Sequence, residues 1–132
     1  MSASPGADRS LWSRLRKRRA NTIVFAAAAT VTSLLFINLC ATIFRCGCRS
    51  LWSGADAHCN IHLSAAHHCP WCAAGTVGSA IPWVLMVAVQ AAISFSPRQW
   101  RAGVRLGAAL AAFPLVGIPI AMAYGLAAGY WK

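Results

Sequence analysis

The chain has 132 residues, 58% of them hydrophobic, and carries two acidic residues, Asp8 and Asp56, against twelve basic ones. A water-soluble protein of this size needs many more charges to cover its surface, which excludes a soluble globular domain. The formal charge of +10 does not argue for nucleic acid, because orientation in a membrane and contact with anionic lipid account for where the charges lie.

Three uncharged runs are of membrane-spanning length: Asn21 to Phe44, Thr76 to Ser96, and Leu106 to about Tyr130. A helix needs about 20 apolar residues to cross the hydrocarbon. The runs are continuous instead of alternating with period two, so strands are excluded. The expectation is an all-α integral membrane protein with three transmembrane helices, in a bacterial-type inner (plasma) membrane, in contact with lipid and with no nucleic acid.

Charge sets the topology. Arg9, Arg14, Arg16, Lys17, Arg18 and Arg19 stand directly before the first run, and Arg98, Arg101 and Arg105 lie between the second and third. The positive-inside rule then gives a cytoplasmic segment 1–20, a first helix 21–44, an exoplasmic or periplasmic loop 45–75, and a second helix 76–96. A cytoplasmic link 97–105, a third helix 106–130 and an exoplasmic end 131–132 follow. Nine basic residues fall inside and three (Arg45, Arg49, Lys132) outside.

Taken in order, residues 1–8 are small and polar, a disordered start. Ser10 to Arg19 reads SLWSRLRKRR, an orientation signal with an interfacial Trp12, or alternatively an amphipathic segment lying on the inner leaflet. The apolar run that follows is too long for the core of a cleaved signal peptide, so it reads as a retained span. Within it Thr30, Thr32 and Ser33 can bond back to their own helix. Asn38 is a costlier polar group, and Cys40 reads as a small apolar filler.

The second span opens near Pro82, as in a helix's first turn, and holds one amide, Gln90. The third has small residues at four-residue spacing: Gly103, Gly107 and Ala111, then Gly117, Ala121, Gly125 and Gly129. Such a face allows close helix packing, and suits a membrane-protein partner or a second copy of the chain. Pro114 and Pro119 should kink this helix, and Tyr124, Tyr130 and Trp131 suit an interfacial belt. No span contains an acidic residue or a histidine, which excludes a self-contained proton relay or ion path.

The chemistry is concentrated in Arg45 to Gly75, RCGCRSLWSGADAHCNIHLSAAHHCPWCAAG, which holds all four histidines and five of the six cysteines. Read as ligand spacing it gives Cys46-x-Cys48, Cys59-x-x-His62 and His68-Cys69-x-x-Cys72. Donors one or two residues apart can grip one ion from a tight turn, and two such turns complete a tetrahedron. Gly47 and Pro70 are turn formers beside them. The expected metal ligands are therefore Cys46, Cys48, Cys59, His62, His68, Cys69 and Cys72, with His58 and His67 more peripheral. More than four donors means two ions, or some residues outside the coordination shell.

Thiolate with imidazole suits a transition metal, zinc first, with copper or iron as alternatives, over calcium or magnesium. No methionine lies in the loop, the histidine that follows a haem-attachment C-x-x-C is replaced by Ala73, and no ferredoxin spacing is present. The competing explanation is disulfides, the default in an oxidising compartment, with Cys40 completing three bridges. Histidines interleaved with the cysteines favour metal. Trp52, Trp71 and Trp83, with Leu51, Ile61 and Leu63, serve either as a cap on the site or as membrane-surface anchors.

Cys69-Pro70-Trp71-Cys72 has the C-P-aromatic-C form that resembles glutaredoxin active sites, a likeness confined to those four residues. It implies a thiol–disulfide oxidoreductase in which Cys69 is the activated nucleophile. The expected function is nonetheless a metal-binding accessory or assembly subunit of a larger membrane complex. A metal carrier, or an oxidoreductase using Cys69 and Cys72, are the alternatives.

Overall fold

The computed structural model describes residues 5–64, 68–96 and 99–132, with only the backbone described for residues 5–11 and 56. The expected roles of His67 and Arg98 thus lie outside the described residues. Three helices are long and apolar enough to cross a membrane, and the described residues contain no strand. They are α1 (Pro5–Phe44), α3 (Gly75–Phe95) and α4 (Ala102–Ala127); between α1 and α3 lie short turns and a four-residue helix, α2 (Pro70–Ala73). The three long helices all pack on one another.

The helix α1 has 40 residues, about 60 Å at 1.5 Å per residue, twice the ~30 Å hydrocarbon thickness. The basic segment is therefore one rod with the apolar run, unbroken near residue 20, because Arg, Lys, Leu and Ala all favour helix. Its amino-terminal part continues the helix axis, with Trp12 and Leu15 exposed.

The boundaries of the other two shift for local reasons. Pro82 is inside α3, not in its first turn, because the helix already starts after Gly75, whose φ of +72° breaks it from α2. An interior proline leaves the carbonyl four residues back without its donor. Here the hydroxyl of Tyr124 donates to that carbonyl, Gly78 O, at 3.2 Å. The helix α4 starts at Ala102, so Arg105 belongs to its first turn and not to a link. It ends at Ala127 because Gly129, at φ +64°, forms a Schellman cap: Tyr130 N–H donates to Gly125 O at 2.8 Å and Gly129 N–H to Leu126 O at 3.1 Å. Gly129 is thus a cap, not a packing residue. Pro114 and Pro119 are both within the one helix α4.

Packing between the helices uses half of the small-residue row. Gly117, Ala121 and Gly125 are buried. A Cβ on Gly117 would come within 2.5 Å of Leu39 Cδ2 and 3.0 Å of Met86 Sδ, so α1, α3 and α4 converge there. Gly103, Gly107 and Ala111 lie on the exposed face of α4.

Polar ties hold the bundle at successive depths. Gln90 Nε2 donates to Thr32 Oγ1 at 2.7 Å and to Ala109 O at 3.0 Å, joining all three helices. Arg105, 2% exposed, donates from Nη1 to Asn21 Oδ1 at 2.8 Å and to Ser94 O at 2.7 Å, again joining all three. The guanidinium sits at the carboxyl end of α3, where unpaired carbonyls and the helix dipole favour a cation. Asn38 takes no such part: its Oδ1 is buried without a hydrogen-bond partner.

Candidate metal centre

The far end of the bundle is organised by where α1 stops. Phe44 is its last residue and Arg45 takes φ +47°, the left-handed cap that turns the chain off the helix axis. Cys46 follows directly, then Gly47 at φ +78°. A Cβ there would lie 3.2 Å from His58 O, so this turn requires glycine both for its backbone and for its space.

The loop then folds back in short 3-10 turns at Leu51–Ser53, Ala55–His58 and Asn60–His62. Main-chain bonds stitch it: Arg49 N–H to Ala55 O at 2.9 Å and Asn60 N–H to Cys46 O at 2.9 Å. Asn60 is the hub, a residue with no metal chemistry that sequence reasoning passed over. Its Oδ1 accepts from Cys69 N–H at 3.2 Å and from the Cys59 thiol at 3.6 Å. Through its main chain and side chain this one residue ties the Cys46, Cys59 and Cys69 segments of the loop together.

Pro70 is the first residue of α2 and Cys69 its N-cap, a placement that suits proline because that N–H would be unpaired anyway. The helix inserts Trp71 against α1. The indole, 1% exposed, stacks on Phe36 with ring centroids 5.0 Å apart and meets Phe44 edge-on at 5.6 Å. Trp71 is therefore the cap on the thiols, packed in the same core cluster as Cys40, Cys46, Cys59 and Cys69. Trp52, Leu51 and Leu63 are exposed, and Trp83 donates from α3 to Ser33 Oγ at 3.1 Å.

All six cysteines carry free thiols and meet in one place. Cys40 lies 3.2 Å from Cys69 and 3.9 Å from Cys46, Cys46 lies 3.4 Å from Cys48, and Cys59 lies 3.8 Å from Cys72, all between Sγ atoms. A tetrahedral thiolate site with zinc–sulfur bonds near 2.3 Å has sulfur–sulfur edges of about 3.8 Å. Thiols gathered this closely could hold a metal ion. Cys40, Cys46, Cys59 and Cys69 are buried, while Cys48 and Cys72 reach the surface in part.

The structure thus adds Cys40 to the expected set. Sequence reasoning takes it as filler because it belongs to an apolar helix. The signal available was its position one turn before the end of that helix, within reach of the Cys46 turn. His62 and His68 are placed differently. Both are exposed, and among the described residues the groups close enough to hold an ion consist of cysteines alone. His58 is likewise exposed.

The thiols share their protons unequally. Burial, with hydrogen bonds from Cys59 and Cys46, pushes the Cys48 thiol up. Hydrogen bonds from Cys40 and Cys69 bring Cys72 down to about 4, and Cys40 and Cys46 lower Cys69. In the C-P-W-C segment, then, it is the second cysteine that combines access with thiolate character, while Cys69 is 0% exposed. Cys69 is lowered as the glutaredoxin likeness implies, but access belongs to Cys72.

The chain's end closes the site from above. Tyr130 donates to Phe44 O at 2.6 Å, and Trp131 stacks on the Phe44 ring at 5.8 Å. Beside this lid, His68, Pro70, Ala74, Tyr124, Ala127 and Tyr130 border an open, largely apolar groove of about 740 Å³. No protein-family model matches the chain, and neither the curated proteins nor the solved structures yield a match.

Proposed function

We propose that the protein is a small metal-binding membrane protein that acts as an accessory or assembly subunit of a larger membrane complex. The ion, zinc in preference to copper or iron, is held at the loop end of the bundle. By charge, that end faces the exoplasmic side of a bacterial-type inner membrane and the amino terminus faces the cytoplasm. The observation that carries this reading is six unbonded thiols at tetrahedral edge distances where α1, α2 and the loop meet.

A staple is favoured over a carrier by burial. A carrier must hand its ion on through accessible donors, whereas Cys40, Cys46, Cys59 and Cys69 are each 4% exposed or less. The partner surface in this reading is the exposed Gly103–Gly107–Ala111 face of α4, where a Cβ on either glycine would meet nothing within 4 Å. Such a face admits a neighbouring helix closely.

The test is metal analysis of the purified chain with thiol counting under denaturing conditions, followed by challenge with a mild chelator. Bound metal, free thiols and slow release are expected. Metal-free protein with bridged cysteines would overturn the reading, and rapid release would convert the staple into a carrier.

A further inference from the structure

Four donors complete a tetrahedron, yet six thiols converge here. The sulfurs of Cys40, Cys46 and Cys69 lie within 4.8 Å of one another, and so do those of Cys46, Cys48 and Cys59. Cys46 is common to both triangles, and each triangle is one donor short. The remaining thiol, Cys72, lies 3.8 Å from Cys59 of the second triangle. It is the one cysteine outside both triangles.

Two tetrahedra that share one corner have seven corners, and six sulfurs fill all but one of them. Cys46 is shared by position, and Cys72, beside Cys59, is the thiol placed to complete the second tetrahedron. Building on the metal-binding reading, we propose that the cluster is a binuclear thiolate centre. In it the sulfur of Cys46 bridges two ions of a divalent, thiophilic metal such as zinc. Cys40 and Cys69 hold one ion with that sulfur, the fourth position there going to a donor other than cysteine, and Cys48, Cys59 and Cys72 complete the coordination of the other.

The measured separations agree with this division. The Cys40–Cys69 and Cys40–Cys46 edges, 3.2 and 3.9 Å, fall in the first tetrahedron. The Cys46–Cys48 and Cys59–Cys72 edges, 3.4 and 3.8 Å, fall in the second. The division also gives Cys40 a reason to be a cysteine at the end of a membrane helix: it anchors one ion to α1 while Cys69 anchors the same ion to α2. Binding the pair of ions displaces to solvent the protons the thiols still carry, because each donor coordinates as thiolate.

The test is anaerobic titration of the reduced, metal-free full chain in detergent with cobalt(II). It is followed by sulfur-to-metal charge transfer, visible ligand-field bands and electron paramagnetic resonance. Expected are saturation at two ions per chain and a paramagnetic signal that grows with the first equivalent and falls with the second, since sulfur-bridged cobalt spins couple. One ion per chain would overturn the binuclear centre and leave the metal-binding reading standing, whereas no binding of cobalt or zinc would overturn both. Two ions without spin coupling would overturn the shared sulfur. Cys40→Ser and Cys48→Ser, terminal ligands of different ions, should each keep one tightly held cobalt; two retained in both variants would refute the assignment. Cys48 is partly exposed, so that variant reports even where Cys40→Ser disturbs helix packing.

Discussion

The phenol oxygen of Tyr130 stands 2.6 Å from the main-chain carbonyl of Phe44, so the last residues of the chain close the loop end of α1. That carbonyl belongs to a helix's final turn and has no partner within the helix. The Schellman cap at Gly129 aims Tyr130 at it, and the Phe44 ring receives both Tyr130 and Trp131. A local backbone feature of α4 thereby becomes a long-range contact that covers the thiols.

Removing the hydroxyl tests this lid. Tyr130→Phe should destabilise the protein by about 1–2 kcal/mol, the cost of leaving a half-buried carbonyl unsatisfied. Thermal or denaturant unfolding in detergent measures it. Because Tyr130 and Trp131 contact each other and share Phe44, the double change with Trp131→Ala should cost less or more than the sum of the two singles. Strict additivity would show that the lid does not act as a unit.

Asn60 gives a sharper test of how the site is held together. Asn60→Ala removes the acceptor of the Cys69 N–H and of the Cys59 thiol without touching a sulfur. Groups that orient metal ligands typically affect affinity by 10- to 100-fold. A drop in metal affinity of about 10-fold or more is expected, with the helical circular dichroism of α1, α3 and α4 unchanged. Unaltered affinity would mean that the thiols are positioned by the ion alone.

Much of this architecture was legible in the chain, and what was hidden has physical reasons. The spans could be read because a helix in hydrocarbon must be a long apolar run. The concentration of sulfur between Cys40 and Cys72 could be seen in the same way. The convergence of Cys40 with Cys69 could not, since it depends on the crossing of α1 and α2 and on Trp71 packing between Phe36 and Phe44. Spacing alone favours His62 and His68, because Cys-x-x-His and His-Cys are patterns that metal sites use. The turns at Asn60–His62 and before Pro70 instead leave those rings at the surface. Arg105 was misplaced for a related reason: by charge it belongs to a link, and only the position of Ser94 O and Asn21 makes its burial affordable.

That burial carries its own prediction. Arg105→Met removes a charged donor from two acceptors on two other helices, and should cost about 2 kcal/mol. Gln90→Leu, which removes a neutral interhelical amide at mid-bundle, should cost about 0.6 kcal/mol and at most about 1.7. Unfolding of the two variants in the same detergent compares them directly. If Gln90→Leu proves the more damaging, the bundle is held chiefly at its middle and not at the Arg105 end.

Reactivity of the metal-free thiols should follow their unequal protonation. Cys72 is partly exposed and held near 4 by hydrogen bonds from Cys40 and Cys69. It is therefore thiolate throughout the neutral range, and thiolate is the nucleophile. Cys48 has similar access but is pushed above the ordinary thiol range, chiefly by burial. At mildly acid pH iodoacetamide should label Cys72 first, with Cys48 gaining reactivity only as pH rises. Peptide mapping after brief pulses across the pH range measures the order. Bound metal should protect both, and protection should weaken as pH falls, because every donor that regains a proton is lost to the ion. Equal labelling of Cys48 and Cys72 at low pH would show that the two thiols do not occupy the distinct environments seen at the cluster.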